Sequence, residues 1–352
     1  MSRRSEAPRP LRSAGDSPSA LRCTTSQVLL DGLNPALARC LGADARVAPV
    51  VVERVEQWMP QWRAVAAEHA DPMARAVAGG FAADRVGWAF ATGYQAALRA
   101  LVPSLPDDTI AALCVTEERG NRPRDIATTI TTLPDGSVSI SGAKRWTTLG
   151  PDSALLLVVG RVADGHDTDR PRLRVARVPT ATPGLTLVAT APTRFVPEVP
   201  HAGVRLDDVR LPADALLDGD GYADYVKPFR TIEDLHVTAA VLAYLLREAR
   251  ARDWPAGFRE RVVATLVVLT VLAAERASAA ATHVALEGAL QWAQQLYAEA
   301  ATLWSCAGDE AAARWQRDAA LFGVAGTARA ARALRAWERV AQASKGGGDD
   351  DE

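Results

Sequence analysis

The first hundred residues show the spacing of apolar positions that is typical of helices. Apolar side chains recur at steps of three and four from residue 29 to residue 102, for example at Val55, Trp58, Trp62 and Val65. This spacing places them on one face of a helix. Pro60 should interrupt or kink that helix, because proline lacks a backbone N–H. A second helix is predicted over residues 81–101.

The middle of the chain has a different pattern of short, β-rich runs. They cover residues 110–115, 128–132, 138–141, 155–162, 173–178, 185–189 and 204–209. Turn residues, such as those at 134–136 and 150–152, divide the runs. Several short strands at this spacing predict an antiparallel barrel or sandwich.

From Asp224 onward the pattern is helical again, without a strand signal. Residues 237–246 and 262–273 are nearly all apolar, which predicts helices surrounded by protein. Further helices are predicted over 277–303 and 311–341. Because a lone small helical domain could not readily cover both apolar helices, we expect a homo-oligomer, or a heteromer with a paralogue, joined through these helices.

The order helical, β, helical predicts an α+β fold with three parts. We assign residues 25–109 to an N-terminal helical domain, 110–215 to a β-domain, and 216–342 to a C-terminal helical bundle. Residues 1–24 are rich in Arg, Ser and Pro, and residues 343–352 form a glycine-rich acidic tail. Both ends are predicted to be disordered, since they have little apolar surface to bury.

Composition narrows the function classes. The net charge of the 352 residues is −2, which gives no strong field for nucleic acid or an anionic membrane. The four cysteines form no Cys-x-x-Cys pair, and no His or Cys cluster has zinc spacing, so we expect no metal site and a reducing, cytoplasmic location. The longest apolar run, residues 262–273, is shorter than the roughly 20 residues a membrane span needs.

Three segments of the middle region carry a family signature. Residues 113–117 read Leu-Cys-Val-Thr-Glu, residues 142–148 read Gly-Ala-Lys-Arg-Trp-Thr-Thr, and residues 206–212 read Leu-Asp-Asp-Val-Arg-Leu-Pro. They resemble the β-domain of the acyl-CoA dehydrogenase family, whose wording there is Thr-Glu-Pro, then Asn-Gly-x-Lys-x-Trp-Ile-Thr, then Phe-Asp-Asp-Val-x-Val-Pro. The resemblance runs from Leu101 onward and is strongest in the β-domain. It implies a flavin site occupied by FAD.

The resemblance also implies roles for particular residues. Thr116 would meet the pyrimidine edge of the flavin ring, Trp146 would pack on the ring, and Thr148 would lie near N5, where hydride arrives. Leu113 and Val115, on the same strand as Thr116, belong to the same expected cofactor site. Without the resemblance, a Trp and two Thr on strands would be ordinary sheet residues.

The family's chemistry requires a carboxylate base that takes a proton from the substrate's α-carbon. At the commoner family position, after Arg317-Asp318, this chain has Ala325, which cannot be a base. The second family position is an earlier helix, where Glu233 matches the glutamate and Asp234 replaces an arginine. The structural alternative is that Glu233 belongs to the polar first turn of a buried helix, with Thr231 as its N-cap.

Other family motifs are altered. Asn121-Arg122-Pro123 stands where the family has Gly-Ser-Asp near the cofactor's phosphates, and the inter-subunit Gln-x-x-Gly-Gly-x-Gly loop is not visible. Arg252 is the counterpart of the arginine that reaches a neighbouring subunit's FAD. Arg122 or Arg252 could hold a diphosphate, since guanidinium suits that geometry, or each could be a surface arginine.

The resemblance thus favours a flavin-dependent oxidoreductase that oxidises the Cα–Cβ bond of an acyl thioester. The thioester would be carried by CoA or by a carrier protein, and an electron-accepting flavoprotein could reoxidise the flavin. Two alternatives stay open: a non-catalytic subunit that pairs with an active paralogue, and a flavin-dependent oxygenase on the same fold, which needs no α-proton base.

Overall fold

The computed structural model describes residues 34–44, 47–163 and 171–346. Four helices come first: α1 (Pro35–Gly42), α2 (Val55–Glu68), α3 (Pro72–Ala82) and α4 (Val86–Leu101). The predicted disordered residues 1–24 lie outside the described residues, as do residues 347–352 of the predicted acidic tail. Helix α2 runs through Pro60, so of the two predicted effects, interruption or a kink, the interruption does not occur. Pro60 and Glu56 are exposed, so water can reach the carbonyl that proline leaves unpaired.

The helix predicted over residues 81–101 is instead two helices, because the chain bends out of helical geometry at residues 83–85. Tertiary contacts hold this break. The carboxylate of Asp84 accepts a hydrogen bond from Val52 N (3.3 Å), and Arg85 forms ion pairs with Asp84 and Glu53. Sequence periodicity could not predict these contacts, because their partners are some thirty residues away along the chain.

Seven strands form one sheet: β1 (Ala111–Cys114), β2 (Thr129–Thr132), β3 (Val138–Thr148), β4 (Leu155–Val162), β5 (Leu173–Pro179), β6 (Leu185–Ala189) and β7 (His201–Leu211). The prediction of seven short strands is confirmed. The sheet is mixed rather than wholly antiparallel, since β4 runs parallel to both β1 and β2. Strands β3, β7 and β6 pair antiparallel in that order.

The C-terminal helices begin with a π-helical turn, Gly221–Val226, that continues into α5 (Lys227–Ala251). They go on with α6 (Ala256–Ala273), α7 (Ala280–Ala307), α8 (Glu310–Asp318) and α9 (Gly326–Gly346). The helical, β, helical order of the predicted α+β fold is confirmed. None of the helices in the described residues is long and apolar enough to cross a bilayer.

Helix α5 lies at the centre of the helical core, and two glycines let its neighbours approach closely. A Cβ at Gly80 of α3 would stand 2.1 Å from the carbonyl oxygen of Ala240, and a Cβ at Gly93 of α4 would stand 2.7 Å from Val237 Cα. Only glycine permits such contacts. The helices on either side of the sheet in sequence therefore share one core, and this packing fixes α5, the helix that carries Glu233.

The two apolar segments predicted to be surrounded by protein differ. Residues 238–246 of α5 are buried on every side, as expected. Helix α6 buries one face, on which Val262, Leu266 and Leu269 are fully covered. On the rest of the helix Val271 is 60% exposed, and Val267 and Val268 are half-buried. The residues that the structure describes thus leave an apolar face of α6 uncovered.

Candidate functional site

The end of β1 runs beside the end of β3. Cys114 Sγ lies 3.5 Å from Thr147 Oγ1, and Arg145 N donates a hydrogen bond to Thr116 O (2.7 Å). Cys114 and Thr147 are buried on the inner face of the sheet. Because successive side chains alternate between faces, their neighbours lie on the outer face. The outer face at this point carries Leu113, Val115, Trp146 and Thr148, all of them expected cofactor residues.

A β-bulge presents Trp146 on that outer face. The pairing of β3 with β7 shifts register between Lys144 and Thr147, so Arg145 and Trp146 together oppose Gly203. Trp146 has a left-handed backbone conformation (φ 59°) and its residue surface is 55% exposed. For a bulky residue this conformation is strained, and strain of this kind clusters at binding sites.

Thr148, next to the bulge, is held by a histidine. Its hydroxyl lies 3.4 Å from Nε2 of His201, and the His201 ring meets the Trp146 ring edge-on at 6.3 Å. Burial lowers the pKa of His201, so the imidazole is neutral near pH 7. A neutral ring can orient the Thr148 hydroxyl without adding charge to the outer face.

The glutamate and lysine of the two motifs form a buried ion pair. Lys144 Nζ lies 2.6 Å from Glu117 Oε1, and the same carboxylate accepts hydrogen bonds from Ala127 N and Thr128 N. Burial alone would raise the pKa of Glu117, but the charge of Lys144 and these hydrogen bonds hold it below its usual range. The pair joins β1, β3 and the chain before β2. This ion pair was not predicted from the sequence, although Glu117 and Lys144 both belong to the family motifs.

Glu233 does not lie in the first turn of its helix, so the structural alternative for this residue is wrong. The helical turns begin at Gly221 with Asp220 as N-cap, and Glu233 lies in the second turn of α5. Thr231 is not a cap either. It is buried, and its hydroxyl lies 3.2 Å from Nε2 of His283. A favourable interaction with the helix dipole therefore cannot explain the presence of an acidic residue at position 233, since that interaction falls off within the first turn.

Glu233 is partly accessible, yet its carboxyl is crowded by protein atoms. Burial raises the pKa of Glu233 to about 7, and the neighbouring Asp234 carboxylate adds to the increase, while Arg329 and Arg230 oppose it. Among the described residues, the Glu233 carboxylate has no hydrogen-bond or ion-pair partner. A carboxylate with this pKa and no partner can accept a proton near neutral pH.

Tyr94 connects Glu233 to the expected cofactor site. The Tyr94 hydroxyl accepts a hydrogen bond from Leu113 N (2.9 Å), and its ring meets Phe229 edge-on at 6.0 Å. Phe229 lies one turn before Glu233 on α5, hence on the same helix face. Burial raises the pKa of Tyr94, and the charge of Glu233 contributes. Tyr94 thus contacts both Leu113 on the strand of the expected cofactor site and Phe229 on the helix that carries Glu233.

Helix α9 binds the turn of α5 that carries Glu233. Two of its arginines bind the Asp234 carboxylate: Arg329 Nε at 2.8 Å and Arg332 Nη2 at 2.7 Å. Asp234, which replaces the arginine of the family pattern, therefore binds two arginines of this chain. Ala325 stands one turn before Arg329, so the two family positions for the base converge on this part of the structure.

Arg252 is far from these residues. It ends α5, 19 residues after Glu233, or about 28 Å along the helix at 1.5 Å per residue. Its guanidinium binds Glu248 (3.0 Å) and Asp309 (2.8 Å) and stacks 4.4 Å above the Trp304 ring. Within this chain Arg252 therefore holds α8 to α5, and a contact with a partner's cofactor stays a prediction.

The remaining cofactor residues fit a flavin. Leu113 and Val115 offer apolar side chains that pack against the helical core, Trp146 offers an exposed indole, and Thr148 offers a hydroxyl group, while Thr116 is bonded to β3 through its backbone. A planar ring with polar edges needs this combination. Among the described residues, no group of three or more His, Cys, Asp or Glu could hold a metal ion.

Comparison with known proteins agrees with this geometry. No protein-family model matches the chain. The probable acyl-CoA dehydrogenase FadE10 of Mycobacterium tuberculosis is 32% identical over 129 residues, which are 35% of this chain and 19% of that protein. The benzylmalonyl-CoA dehydrogenase of Aromatoleum aromaticum is 29% identical over 149 residues, 41% of this chain and 37% of that protein. The matched segments thus span between about a fifth and two fifths of these relatives' own length.

Solved structures match over more of the chain. Butyryl-CoA dehydrogenase from Megasphaera elsdenii superposes with a TM-score of 0.67 at 15% identity, covering 87% of this chain and 98% of that one. A glutaryl-CoA dehydrogenase from Mycobacterium smegmatis in complex with FADH2 gives 0.56 at 16% identity, with 84% and 92% covered. FMN-bound TdsC from Paenibacillus sp. A11-2 gives 0.57 at 18% identity, with 74% and 79% covered.

The chain therefore has the acyl-CoA dehydrogenase fold, with an exposed tryptophan on the sheet and a crowded carboxylate on the adjoining helix. Together with the partial sequence likeness, this fold confirms the resemblance of the chain to the acyl-CoA dehydrogenase family.

Proposed function

We propose that this chain is a flavin-dependent oxidoreductase that oxidises the Cα–Cβ bond of an acyl thioester with FAD. The observation that carries this proposal is Glu233. Its carboxylate has no hydrogen-bond or ion-pair partner among the described residues and a pKa of about 7, and it lies one turn after Phe229, which packs on the tyrosine bonded to Leu113. A general base works best when its pKa lies near the working pH.

Each residue of the proposed site has a distinct task. A bound flavin supplies the two-electron acceptor for the substrate's β-hydrogen. Trp146 stacks on the ring, Leu113 and Val115 exclude water from one side, and the hydroxyls of Thr116 and Thr148 bond its polar edges. Glu233 accepts the α-proton of the thioester at its carboxylate, which the crowded surroundings make more basic than a solvated glutamate.

The curated relatives support an acyl thioester as the substrate class, because both are named as acyl-CoA dehydrogenases of one kind or another. We propose CoA or a carrier protein as the thiol partner and an electron-accepting flavoprotein as the oxidant. A cytoplasmic location fits the cysteine usage.

Assembly through the C-terminal helices is part of the proposal. Besides Val271 on α6, large apolar side chains are exposed on α7 and α9, among them Trp292 (51%) and Trp337 (58%). Large exposed apolar side chains are more frequent at subunit interfaces than on other surfaces. We propose a homo-oligomer or a heteromer with a paralogue that covers this surface.

The test is to purify the chain, record flavin absorbance at about 450 nm, and follow its bleaching by acyl thioesters of several chain lengths under anaerobic conditions. Bound flavin that bleaches with at least one thioester supports the proposal. A protein that takes up no added flavin would instead be a non-catalytic subunit. Bound flavin that no thioester reduces would favour an oxygenase on this fold.

A further inference from the structure

The outer face of the sheet continues past Trp146 into a depression of about 530 Å³ over β3, β7 and β6. No helix of the described residues lines it. Its lining includes Arg145, Trp146, Val188, Gly203 and Arg205. We call it the β3–β7 depression.

The bulge shapes this depression. Gly203 lies opposite Arg145 and Trp146, and its missing side chain leaves the floor between Trp146 and Arg205 open. A Cβ at Gly203 would meet Lys144 O at 3.4 Å and Val188 Cβ at 3.7 Å, which are ordinary contacts. The fold therefore tolerates a side chain at residue 203, and packing in this chain does not require the glycine.

Two arginine side chains flank the depression. Arg205 pairs in the sheet with Ala143, so Arg145 lies diagonally across from it on the same face. Neither side chain has a hydrogen-bond or ion-pair partner among the described residues, and both residues are exposed. By contrast Arg210, further along β7, binds the Asp208 carboxylate at 3.1 Å. Two exposed arginines beside an open indole suit a ligand that carries both an aromatic ring and a phosphate.

The loop after β1 is poorly suited to bind that phosphate, because it is hydrogen-bonded to itself. Glu117 and Gly120 exchange backbone hydrogen bonds, and Arg122 N donates to the Asp125 carboxylate. The amide oxygen of Asn121 accepts a hydrogen bond from Arg230 (3.2 Å). The backbone N–H groups of Glu117, Gly120 and Arg122 are therefore already engaged within the loop.

We propose that Arg145 and Arg205 bind the phosphate of the flavin whose ring stacks on Trp146, in place of the loop after β1. This inference rests on the proposed function. Arg205 lies two residues along β7 from Gly203, the residue opposite Trp146, which is about 7 Å at 3.3 Å per residue. The arm between the flavin ring and the phosphate must span that length, and the ribityl arm of FMN or FAD suits it. Riboflavin has the same arm but no phosphate for the arginines to bind.

The test compares riboflavin, FMN and FAD in titrations of purified protein freed of co-purified flavin, with flavin fluorescence as the readout. FMN and FAD should bind at least about tenfold more tightly than riboflavin, since one charge-assisted hydrogen bond contributes about that factor. The double variant Arg145→Gln/Arg205→Gln should lose this difference and keep the riboflavin affinity. Gly203→Val, which fills the floor and keeps both charges, should weaken FMN and FAD binding.

Arg210→Gln is the matched control, because it removes the same charge from the same strand outside the depression, and it should bind all three flavins like the wild type. Equal affinities of the wild type for riboflavin and FMN would overturn the assignment of the arginines while leaving a flavin protein. Unchanged FMN affinity in the double variant would do the same. Failure of all three flavins to bind would overturn the proposed function, and this inference with it.

Discussion

Glu233→Gln is the substitution that tests the proposed base most directly, because the amide is nearly isosteric but cannot take up the α-proton. A positioned general base contributes about 10²–10⁴-fold to rate, so flavin bleaching by a thioester should slow by at least two orders of magnitude. Flavin and thioester binding should change little. In the wild type, the bleaching rate should rise with pH and level off above about 7, as the Glu233 carboxyl loses its proton.

The same substitution has a predictable effect on stability. The pKa of Glu233 rises from a usual value of 4.5 to about 7 on folding. Below pH 4.5 the carboxyl is neutral in both states and stability is unaffected. Between these pH values the Glu233 carboxyl is ionised in the unfolded chain but still protonated in the folded one, so the free energy of unfolding falls as pH rises. Above pH 7 the free energy of unfolding stays lower by the full amount. At 1.36 kcal/mol per pKa unit the loss is about 3 kcal/mol, and less in practice because Glu233 is partly accessible.

Urea unfolding at pH 4 and pH 8 measures this effect. Glu233→Gln should raise the free energy of unfolding at pH 8 by about 1–3 kcal/mol and change it little at pH 4. Adding Ala325→Glu to this variant should restore part of the bleaching, because residue 325 lies one turn before Arg329, which binds Asp234. Equal bleaching by the wild type and Glu233→Gln would refute Glu233 as the base, and an unaltered pH dependence of stability would refute its raised pKa.

Two further variants test the cofactor site and the assembly. Trp146→Ala should weaken flavin binding by about 1–3 kcal/mol, since it removes a stacked indole. Trp337 on α9 is similarly exposed, so Trp337→Ala is the control and should leave the flavin dissociation constant unchanged. Equal effects of the two substitutions on flavin binding would contradict the assignment of Trp146. Val271→Glu should convert an oligomer into smaller species in light scattering, because it places a charge on the uncovered face of α6. The proposed interface would be disproved if the wild type is already a monomer at micromolar concentration and no partner is recovered from its source.

Much of the fold follows from the sequence, since period and turn chemistry are local properties. All seven strands were predicted, and β4 and β6 have the predicted bounds. The breaks in the helices were harder to place. The one at residues 83–85 depends on Val52 and Glu53, and the start of α5 depends on Asp220, which caps the preceding π-helical turn. Parallel pairing of β4 was missed because strand direction in a sheet depends on how the chain crosses over, not on alternation within a strand.

For the site, the sequence determined which residues are present: a Trp-x-Thr strand, a Cys-Val-Thr-Glu strand and a glutamate at the second family position. Tertiary structure decided what they can do. The bulge turns Trp146 outward, Tyr94 joins Leu113 to the helix of Glu233, and crowding raises the Glu233 pKa. These properties depend on distances between residues remote in sequence and on the exclusion of water. A one-dimensional pattern contains neither, because burial and the electric field at a carboxylate are set by the whole packed structure.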